Sequence, residues 1–61
     1  MIIDVRYHAQ APEQYQGVRL TTVYTGPDND VMPEVVLHFR DAKPQVNIPL
    51  HTILAFTVTN D

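Results

Sequence analysis

The run VNIPLHTILAFTV, residues 46–58, constrains the fold more than any other stretch of the chain. It begins by alternating apolar and polar residues, as a half-buried strand does, and loses this alternation at Pro49. Proline cannot donate a ladder hydrogen bond, so a strand should end near Ile48 unless Pro49 lies on a sheet edge. The alternation resumes in residues 54–58. The sequence therefore predicts two strands, joined by one short 3₁₀ turn in PLHT.

Three earlier stretches also alternate with period two, and each predicts a strand: residues 2–8, 18–25 and 34–40. The connections between them are rich in turn residues. In AQAPEQYQG, Pro12 is expected to start one helical turn and Gly17 to end it. The segments GPDNDVMP and DAKP are expected to be turns.

This pattern predicts an all-β fold: a small five-stranded antiparallel meander, arranged as an SH3-like barrel or a curved sheet, with a 3₁₀ turn before the last strand. The resemblance to an SH3-like barrel is one of architecture, since no sequence family is recognised. Residues 1–61 are expected to form a single small β-domain.

The chain has 61 residues and no cysteine, which limits how it can be stabilised. A domain of this size buries only about 60% of the surface that its unfolded chain exposes. Without disulfides or cysteine-based zinc sites, the usual remaining source of stability is a partner subunit. Self-association is therefore expected before any motif is considered.

The alternation also predicts which residues share a face. Pairing of the second and third predicted strands is expected to place Val23 opposite Val36, Thr21 opposite His38 and Arg19 opposite Arg40. The first strand is expected beside the second, with His8 near Arg19 and Arg6 near Thr21. The outer face would then carry apolar residues that suit packing against another copy. The predicted interface residues are Ile2, Val23, Val36 and His38.

The alternative is a nucleic-acid or anion site on the same outer face. Its predicted residues are Arg6, His8, Arg19 and Arg40. Like charges on neighbouring strands are unfavourable unless a ligand neutralises them. Against this alternative stand the net charge of −3 and the absence of stacking aromatic residues, because Tyr7, Tyr24 and Phe39 are predicted to face the core.

Few residues suggest catalysis or metal binding. His8, His38 and His51 lack the local pair typical of zinc sites, so they are expected to be surface histidines without a metal. DNDVMPE, with Asp28, Asp30 and Glu34, is a partial calcium-loop pattern that lacks its glycine and its length, and a hairpin loop is expected instead. The chain has no serine, no cysteine and only two glycines, so no catalytic residue or cofactor is expected.

The expected function is that of a non-enzymatic small β interaction module, a homo-oligomer or a subunit of a larger assembly. It is expected to associate through the outer sheet face or through an exposed strand edge, and the last strand, residues 54–59, has no charge to discourage pairing. Nucleic-acid binding through the outer-face arginines is the alternative. The N-terminus has no pattern typical of a secretory signal, and no apolar run is long enough to span a membrane. A cytoplasmic location without membrane partners is expected.

Overall fold

The structure is a computed structural model that describes residues 1–26 and 33–60. In these residues it has six β-strands and one 3₁₀ turn. The strands are β1 (Ile2–Tyr7), β2 (Glu13–Tyr15), β3 (Val18–Tyr24), β4 (Glu34–Phe39), β5 (Val46–Pro49) and β6 (Ile53–Thr59). The 3₁₀ turn spans Leu50–Thr52, between β5 and β6.

The strands form two three-stranded antiparallel sheets. Sheet A has the order β2-β1-β6, and sheet B has the order β3-β4-β5. The all-β, antiparallel prediction is confirmed, but the described part of the chain is not a closed barrel. The strand count differs because Glu13–Tyr15 forms the short strand β2 instead of the expected helical turn. Gly17 ends this connection with a φ of 72°, a conformation that glycine adopts without strain.

The joint in residues 46–58 follows the prediction of two strands and a 3₁₀ turn. Strand β5 includes Pro49 because β5 is an edge strand of sheet B, where a missing N–H group breaks no ladder. The hydroxyl group of Thr52 donates a hydrogen bond of 2.7 Å to the carbonyl oxygen of Pro49, which closes the turn. The backbone N–H of Leu50 donates to the carbonyl of Pro33 over 2.9 Å, which ties the turn to the start of β4.

The core lies between the two sheets. It contains aliphatic side chains that are almost fully inaccessible to solvent: Ile3, Val5, Val18, Val35, Leu37 and Ile48. Burial of each side chain of this kind contributes about 1.5–3 kcal/mol. The aromatic rings of Tyr15 and Phe39 extend this cluster, with centroids 6.4 Å apart.

The predicted pairing of β3 with β4 is wrong by one residue. Val36 lies opposite Thr22, His38 opposite Leu20, and Val23 opposite Val35. Because side chains alternate, a one-residue shift moves the whole of β3 to the other face. A register irregularity between Val18 and Leu20 accompanies this shift.

Two further predictions fail for related reasons. Strand β1 pairs with β2 and β6, not with β3, so Arg6 lies opposite Ala55 and not near Thr21. His8 likewise donates its backbone N–H to Thr52 rather than lying beside Arg19. Tyr24, predicted to face the core, shares the outer face with Val36 and is 50% exposed.

Candidate interaction surfaces

The outer face of sheet B carries an open groove of about 250 Å³. Its floor is Val36, which is only 4% exposed although it points away from the core cluster. Thr22 and His38 form one wall, and their Oγ1 and Nε2 atoms are 3.0 Å apart. Asn47 lies opposite Val36 on β5 and donates a hydrogen bond to Glu34 over 3.4 Å. The groove therefore offers an apolar floor between polar walls.

The four predicted interface residues do not form one patch. Val36 and His38 lie together in the groove. Val23 has the opposite side-chain orientation on β3, is 63% exposed and borders the groove. Ile2 lies in sheet A, opposite Thr59. The residues predicted to share one apolar face therefore lie on two different sheets.

The predicted basic site is also divided. Arg6 and His8 lie near the C-terminal end of β1. Arg19 follows Val18, which exchanges backbone hydrogen bonds with Met1 at the opposite end of β1. Five residues of extended chain separate Met1 from Arg6, about 17 Å. Arg40 lies with Arg19 near this end, because its backbone N–H donates to Gly17 over 2.9 Å.

The free edge of sheet A can be read from the backbone hydrogen bonds that flank β1. On the β2 side, the amino group of Met1 donates to the carbonyl of Val18 over 2.7 Å, and the N–H of Val18 donates to the carbonyl of Met1 over 3.2 Å. On the β6 side, the N–H of His8 donates to the carbonyl of Thr52. Peptide groups alternate between the two sides of a strand. The even-numbered residues of β1 therefore face β6, where their partners are Ala55, Thr57 and Thr59.

It follows that the peptide groups of Phe56 and Val58 point away from β1, to the free side of β6. Their side chains lie on the face shared with Ile3 and Val5. Val58 is 47% exposed, and Leu54, at the register irregularity, is 58% exposed. Strand β6 thus combines outward peptide groups with exposed apolar side chains, and none of its seven residues is charged.

The four strand edges in the described part of the chain are of two kinds. Strand β2 has only three residues. Strand β5 has four and ends in Pro49. Pro49 lies opposite Glu34 at a non-hydrogen-bonded position, so its ring nitrogen faces outward. Short length and proline are common protections against edge pairing. Strands β3 and β6 have seven residues each, and of these two only β3 carries a charge, Arg19.

A second open groove, of about 240 Å³, lies between β1, β2 and β5 and includes Tyr7 and Tyr15. The hydroxyl group of Tyr15 donates to a carboxylate oxygen of Glu13 over 2.6 Å. Burial raises the pKa of Tyr15 above its ordinary value, and the hydrogen bond with Glu13 raises it further. Neither groove reaches the size of about 300 Å³ at which small-molecule pockets usually begin.

Nucleophile and metal chemistry find little support in the described residues. The Thr22–His38 pair has the residue types of a nucleophile and a base, but within residues 1–26 and 33–60 no further hydrogen bond holds the imidazole ring in place. No group of three potential ligands that could hold a metal occurs there either. Asp28 and Asp30 of the partial calcium-loop pattern lie outside the described residues. Within residues 1–26 and 33–60, no helix is long and apolar enough to cross a membrane.

Sequence reasoning identified the uncharged character of the last strand but did not include any of its residues among the predicted interface residues. The signal is the run ILAFTVT, in which no charge or proline discourages pairing.

Comparisons with protein-family models, with curated proteins and with solved structures find no significant match. The surfaces themselves are therefore the evidence for function.

Proposed function

We propose that this protein is a non-enzymatic β interaction module that associates with further copies of itself. The observation that carries the proposal is the pair of long sheet edges, β3 and β6, in a chain whose other described edges are short. An exposed edge presents unpaired N–H and C=O groups that favour the addition of another strand.

The small core supports the same proposal. Six residues form its almost fully buried cluster, while large apolar side chains stay exposed in the described part of the chain: Leu20, Val23, Tyr24, Leu50, Leu54 and Val58. Several of them lie on β3 or β6, beside the long edges. Association would bury apolar surface that a single copy leaves in water.

We propose further that the two sheets are the halves of an SH3-like barrel. Three features support this: β1 pairs with β6, a 3₁₀ turn separates β5 from β6, and only Gln16 and Gly17 separate β2 from β3. If β2 and β3 act as one strand bent at Gly17, the six strands become the five of the predicted meander. Backbone amide contacts measured by NMR across residues 15–18 would test this continuity.

Nucleic-acid binding through Arg6, Arg19 and Arg40 remains the alternative function. It is weaker because Arg6 lies about 17 Å along β1 from the end at which Arg19 lies. The net charge of −3 also opposes an extended phosphate contact.

The test of self-association is the solution mass as a function of concentration. The single chain has a mass of 6.9 kDa. We expect the weight-average mass from sedimentation equilibrium to rise toward that of two chains as the concentration increases from about 5 µM to about 1 mM. A mass that stays at that of one chain over this range would refute the proposed function.

A further inference from the structure

We infer that the partner of β6 is β6 of a second copy, paired antiparallel about a two-fold axis at Thr57. This inference rests on the proposed self-association and names the surface that carries it. The result is a six-stranded sheet in the order β2-β1-β6-β6-β1-β2, which removes the free β6 edge from both copies.

The outward peptide groups determine where the axis lies. On the free side of β6, the groups of Phe56 and Val58 are available. An antiparallel pair alternates between hydrogen-bonded and non-hydrogen-bonded positions. With Thr57 opposite its own copy, Phe56 of each chain lies opposite Val58 of the other. Each such pair exchanges two hydrogen bonds, so all four available N–H groups of the two copies are satisfied.

The side chains suit this register. On the core-side face, Phe56 meets Val58 of the second copy, an aromatic and β-branched pair of the kind that stabilises sheets. On the outer face, Thr57 meets Thr57, and Ala55 meets Thr59. Because Ile53–Thr59 contains no charged residue, the two-fold axis brings no like charges together.

Strand β3, the other long edge, suits self-pairing less well. A register irregularity between Val18 and Leu20 interrupts its start, and Arg19 lies within that irregularity. By the same alternation, the outward peptide groups that remain belong to Thr21 and Val23. Pairing about Thr22, the position between them, would place the charged Arg19 at the rim of the strand pair, whereas β6 has no charged residue.

One pair of seven-residue strands is a small interface, below about 1,200 Å², so the dimer should be reversible at micromolar to millimolar concentrations. The chain has no cysteine, which makes disulfide trapping free of background. In Thr57→Cys the two new side chains would face each other at a non-hydrogen-bonded position, where the Cα atoms are about 4.5 Å apart. This separation lies within the range that a disulfide can bridge.

Ala55→Cys is the matched control, because Ala55 lies on the same strand and the same face as Thr57 and is likewise exposed. In the proposed register, the two Ala55 positions are four residues out of alignment, about 13 Å apart. Under mild oxidation at about 1 mM, we expect Thr57→Cys to form a covalent dimer and Ala55→Cys to stay largely monomeric. Equal trapping of both variants, or trapping of neither, would overturn the inference.

A second pair of variants tests the hydrogen bonds without cysteines. Val58→Pro removes an outward N–H group and should leave the β1–β6 ladder intact, whereas Val58→Thr keeps that group and the β-branched shape. We expect Val58→Pro to raise the dimer dissociation constant about thirtyfold, since the dimer loses two interchain hydrogen bonds, one from each copy. We expect Val58→Thr to change it by less than about threefold.

The outcomes separate the two proposals. If the wild type associates but Val58→Pro, shown by its circular dichroism spectrum to be folded, associates equally well, the β6 pairing is refuted while the proposed function stands. If the wild type stays monomeric, the proposed function itself fails. Should Val58→Pro not fold, the comparison of Thr57→Cys with Ala55→Cys decides the inference alone.

Discussion

Truncation of two valines on neighbouring strands tests the face assignment of sheet B. Val36 is 4% exposed and Val23 is 63% exposed. Val36→Ala removes two buried methyl groups, which should lower the free energy of unfolding by about 2 kcal/mol. Val23→Ala removes groups that are mostly in water, so its loss should be about 0.5 kcal/mol. Both changes replace a β-branched residue by alanine in a strand, so the intrinsic strand preference largely cancels in the comparison.

Urea denaturation followed by far-UV circular dichroism measures the difference. A domain of this size should have a total stability of about 3–9 kcal/mol, so the loss at Val36 is a large fraction of it. With a slope of about 1 kcal/mol per molar urea, the midpoint should fall by about 2 M for Val36→Ala and about 0.5 M for Val23→Ala. Val36→Asp should enlarge the contrast, because a buried carboxyl group adds a desolvation cost.

The sequence-based register places both valines on one outer face and predicts similar effects. Equal midpoint shifts for the two alanine variants would therefore refute the register described for β3 and β4. A larger shift for Val23→Ala would refute it more strongly.

The remaining predictions concern Gly17, Tyr15 and the basic residues. Gly17→Ala should lower the free energy of unfolding by about 1 kcal/mol, because a φ of 72° strains an L-residue, although no atom blocks the added Cβ. Gly17→Asn should lose less stability, and equal losses in thermal melts would contradict the backbone explanation. Because the pKa of Tyr15 is raised in the folded protein, its contribution to stability is complete below its ordinary pKa of 10.0 and is lost as pH rises through the folded-state pKa. Above pH 10, Tyr15→Phe should therefore lose less stability than the wild type. Parallel losses of the two proteins in urea titrations would contradict this prediction. Wild-type protein should show no salt-sensitive binding to fluorescent single-stranded DNA; binding that disappears in a variant with Arg19→Glu and Arg40→Glu would instead favour the nucleic-acid alternative.

Period-two alternation predicted most of the strands, because a strand with one buried face must place apolar residues at every second position. The joint at Pro49 was predictable for a similarly local reason: proline lacks an N–H group and allows a strand only at an edge. Strand β2 was not predictable from alternation. It has three residues, which are too few for a periodic pattern to stand out, and the sequence does not reveal its pairing with Ile3 and Val5.

The candidate surfaces were predicted only in part. Thr22 and His38 meet in the groove because of a register that the local sequence does not specify, since both faces of β3 contain a mixture of apolar and polar residues. The uncharged run of the last strand is visible in the sequence. That it lies at an edge, with the peptide groups of Phe56 and Val58 directed outward, depends on which strand β1 accepts as its neighbour.

The sequence by itself determined the fold class, the 3₁₀ joint and the small, disulfide-free core, because these depend on local periodicity, on the chemistry of proline and on chain length. The tertiary structure decided which strands are neighbours, which edges stay open and which face each valine occupies. Those properties depend on contacts between residues far apart in the chain, where a shift of one residue exchanges the buried and exposed faces of a strand.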